Sequence, residues 1–362
     1  MDSDAVSIAT LIERVSSNIT AHAEIRLRFG SCKIHLQTNS GELVDRLAAY
    51  FAPFSDSDPT PDIMVTALEM PPPELDLRFN DWKRDPGKIG SKDTFFDFPD
   101  GRACRKVKTG MQYLMGDGKL LIFGECLKND NQVVNFLISQ YITCLMHRGW
   151  VLCHAAAVAH GDAGLAIAAF SGGGKSTLAL HMMRRELDFV SNDRTLIKLD
   201  GNRALVNGVP KQPRINPGTA INNPDLASII PEKRQLELAS LSPAELWELE
   251  EKYDADVEKL FRPGCFRLES PLNGFLILNW NRQSDLPTDF KRIDIQNRPD
   301  LLAAVMKPPG VFYIPKGSRR PSGFTGVDEH DYLPVLGAIP VFEASGRIDF
   351  EKAVDFCLDE VL

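Results

Sequence analysis

The stretch that most constrains this chain spans residues 165–193, LAIAAFSGGGKSTLALHMMRRELDFVSND. Six apolar residues end in Phe170, and Ser171, Gly172, Gly173, Gly174, Lys175, Ser176 and Thr177 follow. An amphipathic run over 178–187 comes next, and a short apolar segment then delivers Asn192 and Asp193. In physical terms this reads as strand, phosphate-cradling loop, helix, strand, acid. Consecutive glycines let backbone N–H groups turn inward on a polyphosphate, because only glycine tolerates the positive φ such a nest needs. A helix that begins at Lys175 points its positive end at the same anion. The pattern gives Lys175 the outer phosphates, Ser176 a Mg²⁺ ion, and Asp193 either that metal or a proton. The expected ligand is therefore a nucleotide, ATP with Mg²⁺. The usual spacing, G-x-x-x-x-G-K-[ST], has its first glycine where this chain has Ala169. That departure is mild, since the glycines that face phosphate are those next to the lysine.

With 362 residues, 43% apolar and 25% charged, the chain has the size for two domains and the composition of a globular enzyme. A net charge of −8 argues against a nucleic-acid partner and against an anionic membrane surface. Seven cysteines form an odd set with no C-x-x-C pair, which suggests reduced thiols in a cytoplasmic protein, with neither a disulfide framework nor a zinc site. The first 17 residues lack a basic region followed by an apolar core, so they do not read as a secretory signal. The best candidate for a membrane span, 151–170, is broken by His154, His160, Gly161 and Asp162.

Residues 1–128 read as an α+β domain rich in antiparallel strands. Helices are expected over 4–18 and 42–51, a strand over 63–68, and a loop from 71 to 93. Hairpins are expected over 24–37, 95–107 and 111–123, turning at Gly30-Ser31, Asp100-Gly101 and Asp117-Gly118. Residues 129–362 read as a second domain, opened by a helix over 131–148 that carries no charge until its last residue and is therefore buried. Strands over 150–158 and 165–170 flank a turn, and further strands are expected over 196–199, 275–280 and 311–314. Helices are expected over 301–306 and 349–361, with an acidic helical segment over 229–263. That segment contains a capping box, Ser242-Pro243-Ala244-Glu245. From 248 to 259 it reads as a solvated face without chemistry. The fold class is α/β, an α+β domain followed by a phosphate-loop domain with a mixed sheet. Lys211 and Arg214, on an extended loop over 209–218, can clamp phosphate or acceptor or remain solvated. Arg194 can stabilise transferred phosphate or pair with an acid. His154 is either a site residue or a core histidine satisfied by a carbonyl. Cys153 beside it points to the opposite face, which excludes a Cys–His nucleophile.

The segments VLCHAAAV, FSGGGKST and VSNDR resemble the HPr kinase/phosphorylases, which carry a histidine on a β-hairpin ahead of the phosphate loop and two aspartates one helix after it. His154 lies 15 residues before Ala169, and Asn192 and Asp193 lie 17 and 18 residues after Lys175, spacings that look the same as in that family. The likeness to HPr kinase covers residues 150–199. Towards the group called HprK-related kinase B, within the phosphoenolpyruvate-carboxykinase-type P-loop superfamily, it extends over most of the chain. The resemblance implies an HPr-kinase-like P-loop domain and a Mg-ATP-dependent kinase that passes the γ-phosphoryl group to a hydroxyl of a protein or a small molecule. It implies nucleotide contacts from Ser171 to Thr177, metal at Ser176 and Asp193, and catalytic roles for Asp193, His154, Lys175 and Arg194. Either Asp193 is the base with His154 poised against it, or Asp193 holds the metal and His154 is the base. Asn192 stands where the family has its first aspartate, and the family's C-terminal signature that contacts HPr is absent. Kinase-like binding thus carries over and the substrate does not. The incomplete acid pair supports an alternative, a nucleotide-binding partner without transfer activity in a multi-enzyme system. An ATP-grasp protein of the same pathway is a partner expected from the resemblance alone. A carboxykinase-type decarboxylation needs a second metal site and basic carboxylate binders, and no such cluster stands in the sequence.

Overall fold

The computed structural model describes the chain except for residues 1–6, 59, 84–89, 117, 243–244, 247–248, 250 and 318–326. Outside the described residues lie the first residues of the expected N-terminal helix, Asp117 of a hairpin turn, Pro243 and Ala244 of the capping box, and Glu248. The chain forms two compact units, Met1–Arg148 with Pro308–Gly326, and Gly149–Lys307 with Val327–Leu362. Both are mixed α/β structures.

The first unit is built on one sheet in the order β1-β2-β3-β8-β7-β6-β5-β4. Its strands are β1 (Ala23–Phe29), β2 (Cys32–Thr38), β3 (Ile63–Glu69), β4 (Asn80–Asp81), β5 (Asp93–Phe98), β6 (Gly101–Lys106), β7 (Gln112–Gly116) and β8 (Lys119–Gly124). The pairs β2/β3 and β3/β8 are parallel, and the hairpins around them are antiparallel. Helix α1 (Ile8–Ser16) starts at Ser7, whose side chain accepts from Thr10 N. It buries Ile8, Leu11, Ile12 and Val15, one helical stripe, against Leu114, Leu121 and Phe123. Helix α2 (Gly41–Tyr50) is capped by Ser40. Helix α3 (Asp130–His147) sets Phe136 on Tyr113 at 5.0 Å and Tyr141 on Phe29 at 5.5 Å. Tyr113 and Leu114 are neighbours along β7, so α3 and α1 cover opposite faces of the sheet. These contacts group α3 with the first sheet, and the compact units divide at Arg148 instead of at residue 128. An apolar helix declares that it is buried without saying which sheet buries it. The segment 311–314 is a turn and extended chain instead of a strand. The carbonyls of Val311 and Tyr313 accept from the Arg102 guanidinium at 2.9 and 3.2 Å, where a ladder partner would be needed for a strand.

The second unit holds a larger sheet, β12-β10-β11-β18-β20-β19, a second one, β17-β14-β13-β9, and the pair β15-β16. The strands are β9 (Val151–Cys153), β10 (Ala155–His160), β11 (Ala163–Ala169), β12 (Asp188–Ser191), β13 (Thr195–Asp200) and β14 (Arg203–Asn207). They continue with β15 (Arg214–Ile215), β16 (Tyr253–Asp254), β17 (Glu269–Pro271), β18 (Gly274–Leu278), β19 (Asp289–Ile293) and β20 (Val341–Ser345). Helix α4 (Lys175–Met183) follows β11. The others are α5 (Pro217–Ile221), α6 (Glu232–Ala239), α7 (Val257–Leu260), α8 (Pro299–Val305), α9 (Glu329–Leu336) and α10 (Phe350–Glu360). Strands β11, β18 and β20 run parallel in the middle of the larger sheet. Ala155, Ala157, Ala166 and Ala168 face α8 and α9, where Leu301, Leu302, Tyr332 and Val335 fill the core. Alternation turns Ala156, Val158 and Ile167 to the other face, on which α4 packs.

Two sequence expectations are corrected. Residues 151–158 are two strands in two sheets, because Cys153 pairs with Thr195 while Ala155 pairs with Ala168. His154 is the residue at the crossing. Among the described residues the acidic segment 229–263 is not one continuous helix: α6, Glu245 with Leu246, and α7 are helical, and β16 lies between the last two. Within it the capping-box bonds are made: Ser242 N donates to the Glu245 carboxylate at 2.8 Å, and Glu245 N to Ser242 Oγ at 3.3 Å. Among the described residues no helix is long and apolar enough to cross a membrane.

Candidate functional site

The site lies in the second unit, at the ends of β11 and β12. β11 stops at Ala169, the loop 170–174 turns, and α4 begins at Lys175 with Gly174 as its N-cap at φ 92°. No side chain caps that end, so the first N–H groups of α4 are left for a ligand. Two of the three glycines are required by what surrounds them. A Cβ on Gly173 would fall 2.7 Å from the Ala169 Cβ, and Gly174 combines its positive φ with the Phe350 ring, 3.0 Å from where a Cβ would be. The Trp280 indole N–H donates to Gly173 O at 2.8 Å and pins the back of the loop. Ala169 is thus compatible with the turn, since its methyl occupies the space Gly173 leaves open.

Lys175, His154 and Asp193 meet. Lys175 Nζ lies 2.9 Å from His154 Nε2 and 3.1 Å from Asp193 Oδ1, and His154 Nε2 lies 3.3 Å from the same oxygen. The last separation falls within the range of about 6 Å in which charges couple usefully. His154 is held by its backbone, whose N–H donates to Val305 O at 2.7 Å. Asp193 is set by a tight turn, in which Ser191 Oγ donates to Arg194 O at 2.5 Å. The carboxylate is half-exposed at 49%. Burial by itself pushes its pKa up, but the hydrogen bond with His154 and the charges of Lys307 and Lys175 outweigh it. They hold the group well below the usual carboxylate range.

Lys307, whose Nζ is 3.8 Å from Asp193 Oδ2, completes this cluster and had no signal in the sequence. It precedes a proline pair far along the chain, with no motif around it. Trp280, Phe350 and Thr219 were also unread. Thr219 Oγ1 is 2.9 Å from Thr177 Oγ1, which ties up the last of the expected nucleotide contacts. Ser171 and Ser176 make no side-chain hydrogen bond among the described residues. Asn192 Oδ1 is buried without a hydrogen-bond partner among the described residues. Cys153 is fully buried, and burial pushes its thiol up, far from a reactive thiolate. Burial, then the charges of Arg194 and Arg214, push the Lys211 ammonium down to about 8, with Asp254 and Asp193 acting in the opposite direction. Arg214 is paired with Asp254 at 2.9 Å.

The glycine cradle, the uncapped start of α4 and Lys175 fit a polyphosphate. For magnesium the fit is of the modest kind that this ion asks for, since it keeps waters and takes phosphate oxygens beside one or two protein groups. The Ser176 hydroxyl and the Asp193 carboxylate supply those. No group of three or more His, Cys, Asp or Glu able to hold a metal stands among the described residues.

No family model matches the chain, and no curated protein is similar to it. Among solved structures, the Hpr(Ser) kinase/phosphatase from Coxiella burnetii is similar over 57% of this chain and 88% of that one, at 12% identity and a TM-score of 0.30.

Proposed function

We propose that this protein is a Mg-ATP-dependent phosphotransferase that moves the γ-phosphoryl group to a hydroxyl acceptor. The observation that carries the reading is the meeting of Lys175 with Asp193 and His154 at the mouth of a triple-glycine loop. Residues 171–176 and the start of α4 cradle the phosphates, and Lys175 neutralises charge that builds on the transferred group. Magnesium, held by Ser176 and Asp193, would add its own positive charge to that neutralisation. Lys175 has no acceptor capacity, so without a nucleotide it donates to Asp193. Phosphate oxygens draw Lys175 away, and Asp193 loses one of the cations that depress its basicity. Asp193 and His154 are then the two groups within reach that can take the acceptor's proton. Arg194, next in the chain, is placed to meet charge on the acceptor side.

The test is calorimetric titration with Mg-ATP. Lys175→Ala is expected to weaken binding by about 10²-fold while the fold survives, because the lysine stands in the first turn of α4 with its ammonium turned to Asp193 and His154. Equal affinity in the variant and the wild type would refute the phosphate-loop reading.

A second reading, nucleotide binding without transfer, is favoured by one feature: Asn192 occupies the place of a second acid, and its buried Oδ1 has no hydrogen-bond partner among the described residues. On that reading Mg-ATP binds and slow intrinsic hydrolysis is absent.

A further inference from the structure

β9 ends the smaller sheet, and the segment that follows α8 lies along it, with Cys153 and Met306 forming an antiparallel bridge. On one side of that bridge His154 N donates to Val305 O at 2.7 Å. Antiparallel pairing puts the matching rung on the other side, from Lys307 N to Leu152 O. Both ends of that rung are bonded to one side chain. Tyr332 Oη accepts from Lys307 N at 3.2 Å and donates to Leu152 O at 2.6 Å.

Tyr332 stands on α9 with 0% of its surface exposed, in the core that holds Leu301, Leu302 and Val335. A ring so enclosed makes its hydroxyl a fixed point. Phenylalanine would fill the same space, so packing alone does not account for the oxygen. Its two bonds hold Lys307 at a set spacing from β9. The chain has little else to hold it there. Pro308 and Pro309 follow and have no N–H with which to pair, and neither helix nor strand continues beyond Lys307. Lys307 is also the last residue of the second unit before the chain leaves it, and Tyr332 comes soon after the return at Val327.

The side chain that departs from this point belongs to the site. Lys307 Nζ lies 3.8 Å from Asp193 Oδ2, while Lys175 Nζ lies 3.1 Å from Oδ1, so each carboxylate oxygen faces its own cation. When Lys175 turns to phosphate, Lys307 stays as the cation that keeps the carboxylate oriented. A lysine ammonium is a point charge on a flexible stem, and where it can stand depends on where the backbone releases it.

We propose that Tyr332 is a positioning residue of the phosphotransfer site, its hydroxyl fixing the backbone of Lys307 so that the ammonium meets the second oxygen of Asp193. This rests on the phosphotransferase reading above and adds to it the residue that acts from behind the site.

The experiment measures intrinsic hydrolysis of Mg-ATP by wild type, Tyr332→Phe, Lys307→Met and the double variant, with thermal unfolding of each alongside. Tyr332→Phe keeps the ring and should lower kcat by about tenfold or more, since a misplacement of about 1 Å behind a site can cost about 10²-fold. KM should stay within about twofold, because the glycine loop and Lys175 are untouched. Lys307→Met should lower kcat at least as far. Adding Tyr332→Phe to Lys307→Met should then change kcat by less than about twofold, although it lowers Tm in both backgrounds. A merely structural hydroxyl would lower Tm and leave kcat alone. Wild-type kcat in either single variant overturns the proposal, and so does an equal fall in kcat on adding Tyr332→Phe with and without Lys307. Should Tyr332→Phe fail to fold, amide hydrogen exchange at Lys307 in the wild type decides. Exchange slowed by about 10²-fold or more upholds the hold on this backbone, and exchange as fast as in an unstructured peptide refutes it. Wild type that hydrolyses no ATP takes down the phosphotransferase reading and this role with it, whereas the other outcomes leave that reading standing.

Discussion

Arg102 in the first unit and Lys211 in the second are both cations withdrawn from water, but they are answered differently. Arg102 is 1% exposed, and its guanidinium meets Asp97 through two bonds at 2.6 and 3.2 Å, takes two carbonyls, and lies over the rings of Trp82 and Phe95. Lys211 is set beside two further cations, one of which, Arg194, makes no ion pair among the described residues. A buried charge with its partners in place belongs to the scaffold. Like charges crowded beside one another are the arrangement that functional sites more often hold.

The largest effect is expected from breaking the first arrangement. Arg102→Met leaves Asp97 and two carbonyls without their donor, and should lower stability by about 3–5 kcal/mol. Urea unfolding measures this, and adding Asp97→Leu should return a good part of the loss, because the uncompensated charge is then gone. A midpoint unchanged in Arg102→Met would show that the two clusters do not differ in kind.

Breaking the second arrangement should cost activity. Asp193→Asn is expected to slow intrinsic ATP hydrolysis by about 10²-fold or more and also to weaken metal-dependent nucleotide binding, since in the proposed mechanism the same carboxylate holds the metal and can take the proton. His154→Gln should lower the rate by about tenfold and leave Mg-ATP affinity intact. If both variants hydrolyse ATP as fast as wild type with the same metal dependence, the chemistry lies elsewhere in the chain.

A smaller loss is expected at the loop. Gly173→Ala drives a methyl to 2.7 Å from the Ala169 Cβ, an overpacking worth about 1–3 kcal/mol. In an Ala169→Gly background that clash is absent, so the two changes should be strongly non-additive in thermal unfolding. Additive losses would mean that Gly173 is needed for a reason other than the space Ala169 fills.

These residues also mark what the sequence disclosed. The loop was legible because glycine, lysine and serine at consecutive positions announce their geometry locally, and the tight hairpins of both units did so through glycine at their turns. Pairing between distant strands was not. Nothing in VLCHAAAV tells that His154 stands where the chain leaves one sheet for another, because that depends on β13 pairing with β9. Lys307 reaches Asp193 through folding alone, and a lysine before two prolines has no periodicity to betray it. Lys211 and Arg214 were visible as loop cations, but whether they were solvated or clustered turned on the closeness of Gly208 to Val190.

The finest test of the contrast uses stability in place of activity. In the folded chain the Lys211 ammonium titrates at about 8, below its usual 10.5. Between those values the unfolded chain binds more protons than the folded one, so stability rises with pH across the window. Below about 8 both states are protonated and the full penalty of withdrawing the charge from water, beside Arg194 and Arg214, is present. Above about 10.5 both are neutral and the penalty is gone. Lys211→Met keeps the length of the side chain and removes the charge, and should therefore be more stable than wild type at pH 7, by about 1 kcal/mol once solvent screening is allowed for. The advantage should shrink through pH 8 to 10.5 and disappear beyond it. Arg102→Met should lose stability throughout that range, because Asp97 stays charged across it. Urea midpoints of the three proteins at pH 7, 9 and 11 decide the matter. A Lys211→Met variant that is destabilised at pH 7 would place Lys211 with Arg102, among the charges the scaffold needs, and would leave the crowding of cations without a functional reading.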